Sequence, residues 1–225
     1  GIAENSNIEN CTGRARVNND NGSGAGGLVA LTTGGSLKNC VNYASVTANG
    51  SASGIAGGDA SFDNCINYGK IAGTSAHVGG IAGSSSASMT NCLNYGEVIG
   101  SSMVGGIAGS SSSSVTNCQN SGAVTATASE AGGITGSGNS ISSLNHCLNL
   151  GAISSLGNES FDRISGGIAG SYNGTITACV NYGTIKGNNY AGGVVGSSDR
   201  ATVTASYNRG NVISNDSSAA AAIGS

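Results

Sequence analysis

The chain repeats itself about every 27 residues, and this repeat limits the possible folds more than any other feature. The clearest units hold a Gly-Gly-Ile segment, a Ser-rich stretch and a Cys-x-Asn-Tyr-Gly-x-Val element. The units are 25 to 32 residues apart when aligned on the cysteine, and Ser206 takes the eighth place. All cysteines of the chain fall in this column: Cys11, Cys40, Cys65, Cys92, Cys118, Cys147 and Cys179.

Three further columns of the repeat are apolar in every unit. Three residues before the cysteine position stand Ile8, Leu37, Phe62, Met89, Val115, Leu144, Ile176 and Val203. Six residues after it stand Val17, Val46, Ile71, Val98, Val124, Ile153, Ile185 and Val212. The Gly-Gly-Ile segments contribute Leu28, Ile55, Ile81, Ile107, Ile134, Ile168, Val194 and Ile223. Three apolar columns separated by Gly and small polar residues predict three short strands per turn of a coil.

These columns predict an all-β solenoid, a parallel β-helix of about eight coils with about 27 residues per coil. Helical repeats are excluded because no segment has helical apolar spacing, and each interior Gly costs a helix about 1 kcal/mol. We expect a right-handed coil, since parallel crossovers are right-handed. Residues 1–225 form a single repeat domain, which we expect to be a fragment of a longer surface protein.

Composition restricts the function classes. The chain has 40 Gly, no Pro, 8% charged residues and a net charge of −3. Nucleic-acid binding is not expected, because the eight Lys and Arg are scattered and neutralising phosphates needs clustered positive charge. No membrane span is expected either, since the longest apolar stretch, near residues 219–223, is far too short.

Polar columns predict ladders in which each residue stacks on its equivalent one coil away. The Asn column is expected to be structural, each amide pairing with its neighbours: Asn42, Asn67, Asn94, Asn120, Asn149, Asn181 and Asn208. The Gly column two residues later is expected to serve a positive φ or a tight corner: Gly69, Gly96, Gly122, Gly151, Gly183 and Gly210.

Aromatic and charged side chains align between neighbouring coils. Tyr43, Tyr68 and Tyr95 are expected to form one stack in the core or at a corner, and the alternative is an outward stack that could meet sugar rings. Tyr182 is expected to face Arg209 as a cation–π pair. A weak surface pair is expected between Lys70 and Glu97.

The cysteine column predicts free thiols that act as small buried hydrophobes, because side chains in a parallel ladder point the same way and suit a disulfide poorly. Disulfides between adjacent coils are the alternative. The residue after each cysteine also looks buried, as in Val41, Ile66 and Leu93. Strict alternation cannot place both inside, and a bend at the cysteine would resolve this, although the sequence alone does not show one.

No cofactor, metal or catalytic site is expected. There is no Cys-x-x-Cys motif, and His77 and His146 lie in different coils, His146 in the place that Asn usually holds before the cysteine. The acidic residues are dispersed, whereas glycan cleavage needs paired carboxylates. Glu159, Asp162 and Arg163 form the densest local group, in the longest repeat, and are a candidate binding loop or a tolerated surface insertion.

The repeat resembles the GLUG-type repeats of bacterial surface proteins, which occur beside the peptidase domain of IgA-protease-like metallopeptidases and in adhesin-like proteins. The clearest copies are 79–83, 105–109 and 166–170, each Gly-Gly-Ile-Ala-Gly, followed by the Asn-x-Gly-x-Val/Ile elements 94–98, 120–124 and 181–185. The resemblance implies an extracellular or cell-surface location and a stalk or adhesive role. It carries over no catalytic residue.

We therefore expect a non-enzymatic, structural or adhesive β-helix of a secreted bacterial surface protein. The alternatives are a polysaccharide-binding or polysaccharide-processing β-helix and a self-assembling filament element. Expected partners are host or bacterial glycans, matrix proteins, flanking repeats of the same chain and, by end-to-end association, further copies. Candidate binding residues are Tyr43, Tyr68 and Tyr95, together with the loop group Glu159, Asp162 and Arg163.

Overall fold

The chain folds into a parallel β-solenoid, as predicted. The structure, a computed structural model, describes residues 1–22, 24–157, 163–214 and 218–220. Those residues form forty short strands and contain no helix. Each strand pairs in parallel with its equivalents in the adjacent coils, so the chain makes eight stacked turns. Handedness stays a prediction, and Ile223 lies outside the described residues.

Each coil contains five strands, and each set of equivalent strands stacks into one ladder, numbered here in chain order. Ladder 1 consists of Ile2–Glu4, Val29–Thr33, Ala56–Gly58, Ala82–Ser85, Ala108–Ser111, Thr135–Gly138, Ala169–Tyr172 and Val195–Ser197. Ladder 2 consists of Asn7–Glu9, Ser36–Lys38, Ser61–Asp63, Met89–Thr90, Ser114–Thr116, Ser143–Asn145, Thr175–Thr177 and Thr202–Thr204. Ladder 3 consists of Thr12–Gly13, Val41–Asn42, Ile66–Asn67, Leu93–Asn94, Gln119–Asn120, Leu148–Asn149, Val180–Asn181 and Tyr207–Asn208.

The last two ladders complete each coil. Ladder 4 consists of Val17–Asn19, Val46–Ala48, Ile71–Gly73, Val98–Gly100, Val124–Ala126, Ile153–Ser155, Ile185–Gly187 and Val212–Ser214. Ladder 5 consists of Ala25–Gly26, Ala52–Ser53, Val78–Gly79, Val104–Gly105, Ala131–Gly132, Ile164–Gly166, Tyr190–Gly192 and Ser218–Ala220. Ladder 1 alone is interrupted among the described strands, between its third and fourth members, whereas the other four are continuous.

The prediction of three strands per coil was wrong, although the described members of the three apolar columns are buried in the inner coils and half-buried in the end coils. Two of those columns lie in ladders 2 and 4. The third, which includes Ile55 and Ile81, lies at the corner between ladders 5 and 1 and outside any strand. Ladders 1, 3 and 5 point mainly small or polar side chains inward. A strand prediction based on columns of apolar residues therefore misses these three ladders.

A left-handed corner precedes each cysteine. Asn39, Asn64 and Asn91 have φ values of 52°, 52° and 56°, and His146 replaces them with φ 52°. Asn tolerates this conformation better than most residues. The chain therefore bends just before the cysteine, and the following residues alternate normally. The residues after the cysteines, expected to be buried, are instead half-buried on the outer surface, as at Val41.

The asparagines of ladder 3 form a continuous hydrogen-bonded row inside the rod. Each Nδ2 donates to the Oδ1 of the next coil's asparagine, at 2.8 Å from Asn67 to Asn94 and from Asn94 to Asn120. The second Nδ2 proton goes to a carbonyl of the same corner, that of Gly96 for Asn94 at 2.8 Å. These hydrogen bonds offset the cost of removing the amides from water, so the expected structural role is confirmed.

The asparagine row divides the interior. One cluster packs the cysteine column against the columns of Leu37 and Ile55, and the other packs Val46 and its equivalents against ladder 5. The asparagines belong to neither cluster. Their amides lie against the second glycine of the Gly-Gly pairs, where a Cβ on Gly27 would be 2.6 Å from the Asn42 Cγ. A side chain there would displace the row.

The glycines after the tyrosine position are needed for close approach and not for a positive φ. Gly69, Gly96 and Gly122 have φ outside the left-handed region. A Cβ on Gly96 would overlap the Gly69 carbonyl of the adjacent coil. The tight-corner alternative therefore holds at this column, and the positive-φ alternative does not.

One large side chain interrupts the small inward column of ladder 1. Tyr172 is completely buried and stands in register with Gly138. A Cβ on Gly138 would overlap the Tyr172 ring, so the glycine provides the space that the ring fills. Burial raises the pKa of the Tyr172 hydroxyl, which has no hydrogen-bond partner among the described residues.

Replacing Asn94 with Ala should destabilise the rod more than the same change at Asn208. N94A leaves the Asn67 amide, the Asn120 Oδ1 and the Gly96 carbonyl each without one partner inside the rod. An unsatisfied buried polar group costs about 1–3 kcal/mol, so we expect a loss of about 3 kcal/mol or more in the free energy of unfolding.

The matched control is N208A, because Asn208 is only partly buried and water can replace its bonds. We expect a loss of about 1 kcal/mol there. Urea unfolding of both variants measures the difference. Equal losses at the two positions would show that the internal row contributes nothing beyond an ordinary surface amide.

Candidate functional site

An outward column follows the asparagine row, and we call it the outer column. It contains one residue per coil: Arg14, Tyr43, Tyr68, Tyr95, Ser121, Leu150, Tyr182 and Arg209. Its backbone amides donate to carbonyls of the preceding coil, at 2.8 Å from Tyr68 to Asn42 and from Tyr95 to Asn67. The asparagine row and these bonds therefore fix the position of each outer-column side chain.

The three predicted tyrosines form the stack that the sequence indicated. The ring centroids of Tyr43 and Tyr68 are 5.0 Å apart with an interplanar angle of 5°, and those of Tyr68 and Tyr95 are 5.0 Å apart at 7°. Their exposed fractions are 47%, 46% and 43%. The stack thus lies on the surface of the rod and is not part of its core.

Arg14 extends the stack by one coil. Its guanidinium carbon lies 4.6 Å from the centroid of the Tyr43 ring, which is a cation–π distance. The sequence placed Arg14 where a tyrosine is expected, but the prediction of binding residues left it out. Its position in the same column of the repeat was the signal that could have found it.

Stacking decides which parts of the rings are available to a ligand. Both faces of the Tyr68 ring are covered, by Tyr43 and Tyr95, and Arg14 covers one face of Tyr43. The hydroxyls make no hydrogen bond to a described residue, and none of the three is buried. The column therefore offers ring edges and a row of phenol hydroxyls. The face of Tyr95 toward the small Ser121 is the one left without an aromatic or cationic neighbour in the column.

A second aromatic group lies further along the outer column. The predicted pair is present, with the Arg209 guanidinium carbon 5.9 Å from the centroid of the Tyr182 ring. The same guanidinium lies 5.4 Å from the Tyr207 ring, which the sequence argument had not included. Ser121 and Leu150 separate this group from the tyrosine stack.

The surface beside the stack contains apolar side chains and one pair of opposite charges. Val41, Ile66 and Leu93 are half-buried on the same outer side. The predicted pair of Lys70 and Glu97 is confirmed, with Nζ 2.8 Å from a carboxylate oxygen. Both of these charged side chains are about half exposed, so solvent screening leaves the pair weak.

Arg163, the described member of the predicted binding loop, is not part of the tyrosine stack. Glu159 and Asp162 lie outside the described residues. Arg163 immediately precedes ladder 5, whereas the outer column follows ladder 3. Its Nε donates to the Asn189 Oδ1 at 2.7 Å and its Nη1 to the Gly157 carbonyl at 3.3 Å. These bonds tie neighbouring turns together, which gives Arg163 a structural contact within the rod.

The cysteine column is a row of reduced thiols. All seven cysteines are free, and all except Cys11 are buried. The hydrogen bond with the Cys65 thiol, together with burial, raises the pKa of the Cys40 thiol well above its usual value. The hydrogen bond with the Cys147 thiol does the same for the pKa of Cys179, again helped by burial. Disulfides between coils are absent, and the thiols pack as the predicted small hydrophobes.

Ser206 continues the contacts of the cysteine column. The Cys92 amide donates to the Cys118 sulfur at 3.4 Å, and the Cys147 amide donates to the Cys179 sulfur at the same distance. In the last coil the Cys179 amide donates to the Ser206 hydroxyl at 3.0 Å. Serine in place of cysteine at position 206 therefore keeps the hydrogen-bond acceptor as well as the small side-chain volume.

Thiol reactivity should separate Cys11 from the other six cysteines. We expect a thiol reagent at neutral pH to modify one group per folded chain and all seven in denaturant without reductant, because only Cys11 is exposed. A C11S variant is the control and should lose the fast reaction. Fewer than seven thiols in denaturant would reveal disulfides, and several fast thiols in the folded chain would contradict the closed core.

Two searches of the described residues found no further site type. No group of three or more His, Cys, Asp and Glu side chains there could hold a metal ion. In that same part of the chain, no helix has the length and apolarity to cross a membrane.

Comparison with known proteins gives a structural likeness only. No protein-family model matches the chain, and no curated protein matches it. The chain is similar to the crystal structure, at 1.30 Å, of a candidate immunoglobulin A1 protease from Bacteroides ovatus, with a TM-score of 0.59 and 19% identity. The match covers 99% of this chain and 66% of that one, so this chain spans only part of that protein's length. At this identity the likeness shows the fold, and the resemblance to GLUG-type repeats stays a prediction.

Proposed function

We propose that the chain is a non-catalytic, structural or adhesive β-helix of a secreted bacterial surface protein, with the tyrosine stack of the outer column as its binding face. The observation that carries the proposal is the stack of Tyr43, Tyr68 and Tyr95, held half-exposed on a rigid rod. Exposed aromatic side chains are enriched at binding surfaces, where a ring and a hydroxyl act together. The likeness to a candidate immunoglobulin A1 protease and the resemblance to GLUG-type repeats support the surface location.

The form of the stack favours a glycan chain as the ligand. The phenol groups repeat at 5.0 Å along the rod. An extended peptide presents side chains to one face about every 6.8 Å, which does not match this repeat. Sugar rings in a linear chain have a length comparable to the tyrosine spacing. Their hydroxyls can donate to and accept from phenol oxygens.

The electrostatic character of the column agrees with a neutral or weakly anionic glycan. Arg14 and Arg209 are the charged members of the column, one at each end, and each contacts a tyrosine ring. Lys70 and Glu97 beside the stack neutralise each other. Binding at such a surface depends on hydrogen bonds and ring edges, so its salt dependence should be small.

Replacing the three stacked tyrosines with Ser tests the proposal, because Ser121 shows that the outer column accepts Ser. The wild-type chain, screened over a concentration series on an array of bacterial and host glycans and matrix proteins, should give a saturable, selective hit. The triple variant Y43S/Y68S/Y95S should weaken this hit by about tenfold or more, since each lost contact contributes on the order of 1 kcal/mol.

The matched control is Leu150→Ser, which changes an equally exposed residue of the same column. It should leave the hit unchanged, and thermal unfolding should show that both variants are folded. Binding that survives in the triple variant would remove the stack as the binding face. A blank array with the wild-type chain would leave the rod as a spacer without this adhesive role.

A further inference from the structure

A groove of about 220 Å³ opens where ladder 1 is interrupted. The interruption begins with a bulge: Ala56 pairs with Val29 but Gly57 pairs with Leu31, so Ala30 is an extra residue. Gly58 follows with φ +105°, a conformation that favours glycine. The next strand, Ala82–Ser85, pairs only with the coil after it. The groove crosses the first four coils along the edge between ladders 5 and 1, on a different side of the rod from the outer column.

The repeat itself explains the shape of the groove. The position before ladder 5 is Gly24 in the first coil, Ser51 in the second, His77 in the third and Met103 in the fourth. Side chains are absent or small at Gly24 and Ser51, which leaves space. His77 then closes one end of the groove.

The floor of the groove is backbone. Gly57, Gly58 and Gly83 line it, and a Cβ on Gly83 would be 2.8 Å from the His77 carbonyl. A floor without side chains lets a ligand approach backbone groups closely. Ser51 and Ser53 also line the groove, but their hydroxyls already donate to the Ala76 and Ala25 carbonyls at 2.8 and 3.2 Å.

Two polar side chains remain available for a ligand. The His77 imidazole and the Ser84 hydroxyl make no hydrogen bond to a described residue. Leu31, 43% exposed, and Ala30 supply an apolar wall opposite them. His77 is the one ionisable side chain among the lining residues, and no carboxylate, Lys or Arg is present there.

We propose that this groove binds one neutral sugar unit. A pyranose has an apolar C–H face and a rim of hydroxyls, which matches a groove that combines an apolar wall with the His77 imidazole and the Ser84 hydroxyl. Drug-sized ligands fill pockets of about 300–1,000 Å³, so this volume suits a single ring. The absence of a fixed charge in the lining disfavours anionic sugars such as uronates, whose carboxylate would lose water without a paired cation. This site is independent of the outer column.

The proposal is tested by titrating the ¹⁵N-labelled chain with neutral and acidic sugars. The neutral ligands are the methyl glycosides of glucose, galactose, mannose and N-acetylglucosamine, and the acidic ligand is methyl glucuronide. At least one neutral glycoside should shift the amide signals of Gly57, Gly58 and Gly83, with a dissociation constant on the order of millimolar, as expected for a ligand of this size. The glucuronide should shift them less.

Variants at Ser51 separate filling of the groove from loss of a hydrogen bond. Ser51→Met places in the second coil the residue that the fourth coil carries as Met103, and it should weaken binding by about tenfold or more. Ser51→Ala loses the same bond to Ala76 but leaves the groove open, so it should bind like the wild-type chain. His77→Asn keeps a residue that tolerates φ +61° and should weaken binding by removing the imidazole.

The triple tyrosine variant should bind the glycoside normally, which distinguishes failure of this site from failure of the outer column. The proposal is overturned if none of the neutral glycosides shifts the three glycine signals even when the ligand concentration is well above millimolar. It is also overturned if Ser51→Met binds as well as Ser51→Ala, or if only the glucuronide binds.

Discussion

The asparagine side chains of ladder 3 hydrogen-bond from coil to coil through the interior of the rod, and much of the remaining structure follows from this row. Each amide donates once along the row and once to its own corner, and its Oδ1 accepts from the preceding coil. Only a parallel stack in which every coil has the same register can satisfy all of these groups. A shift by one residue would leave polar groups unpaired in a buried region, at about 1–3 kcal/mol each.

The row also explains residue choices elsewhere in the repeat. The second glycine of the Gly-Gly pairs leaves room for an amide, as Gly27 does for Asn42. The outer-column residue follows directly after the asparagine and therefore has a fixed position on the surface. The tyrosine stack is thus a consequence of the internal register. A column of identical outward residues becomes a continuous surface row because the asparagines prevent the coils from slipping.

Side-chain columns in the sequence were sufficient to predict the solenoid, the buried apolar positions, the asparagine ladder, the tyrosine stack and the free thiols. Backbone conformation was not predictable in the same way. The left-handed corner at Asn39 and its equivalents, and with it the half-exposed position of Val41, depends on where the chain bends, and the apolar pattern carries no signal for a bend.

The two candidate sites also differ in whether the sequence could predict them. The tyrosine stack could be predicted because identical residues recur at one position of the repeat. Arg14 was missed because the stack was predicted from the tyrosines alone, although Arg14 belongs to the same column and its guanidinium carbon lies 4.6 Å from the centroid of the Tyr43 ring. The groove beside His77 could not be predicted, because it results from the extra residue Ala30 and the broken pairing that follows. Irregular coils thus create concave sites that the regular repeat lacks.

The most direct test of the register-locked rod is a nuclear Overhauser experiment on the side-chain amides of the asparagine row. The account predicts cross-peaks that link Asn67 to Asn94 and Asn94 to Asn120, residues 27 and 26 positions apart in the chain. It also predicts that these amide protons exchange slowly with solvent. Assigned asparagine amides that show no such cross-peaks, or that exchange as fast as surface amides, would contradict the account.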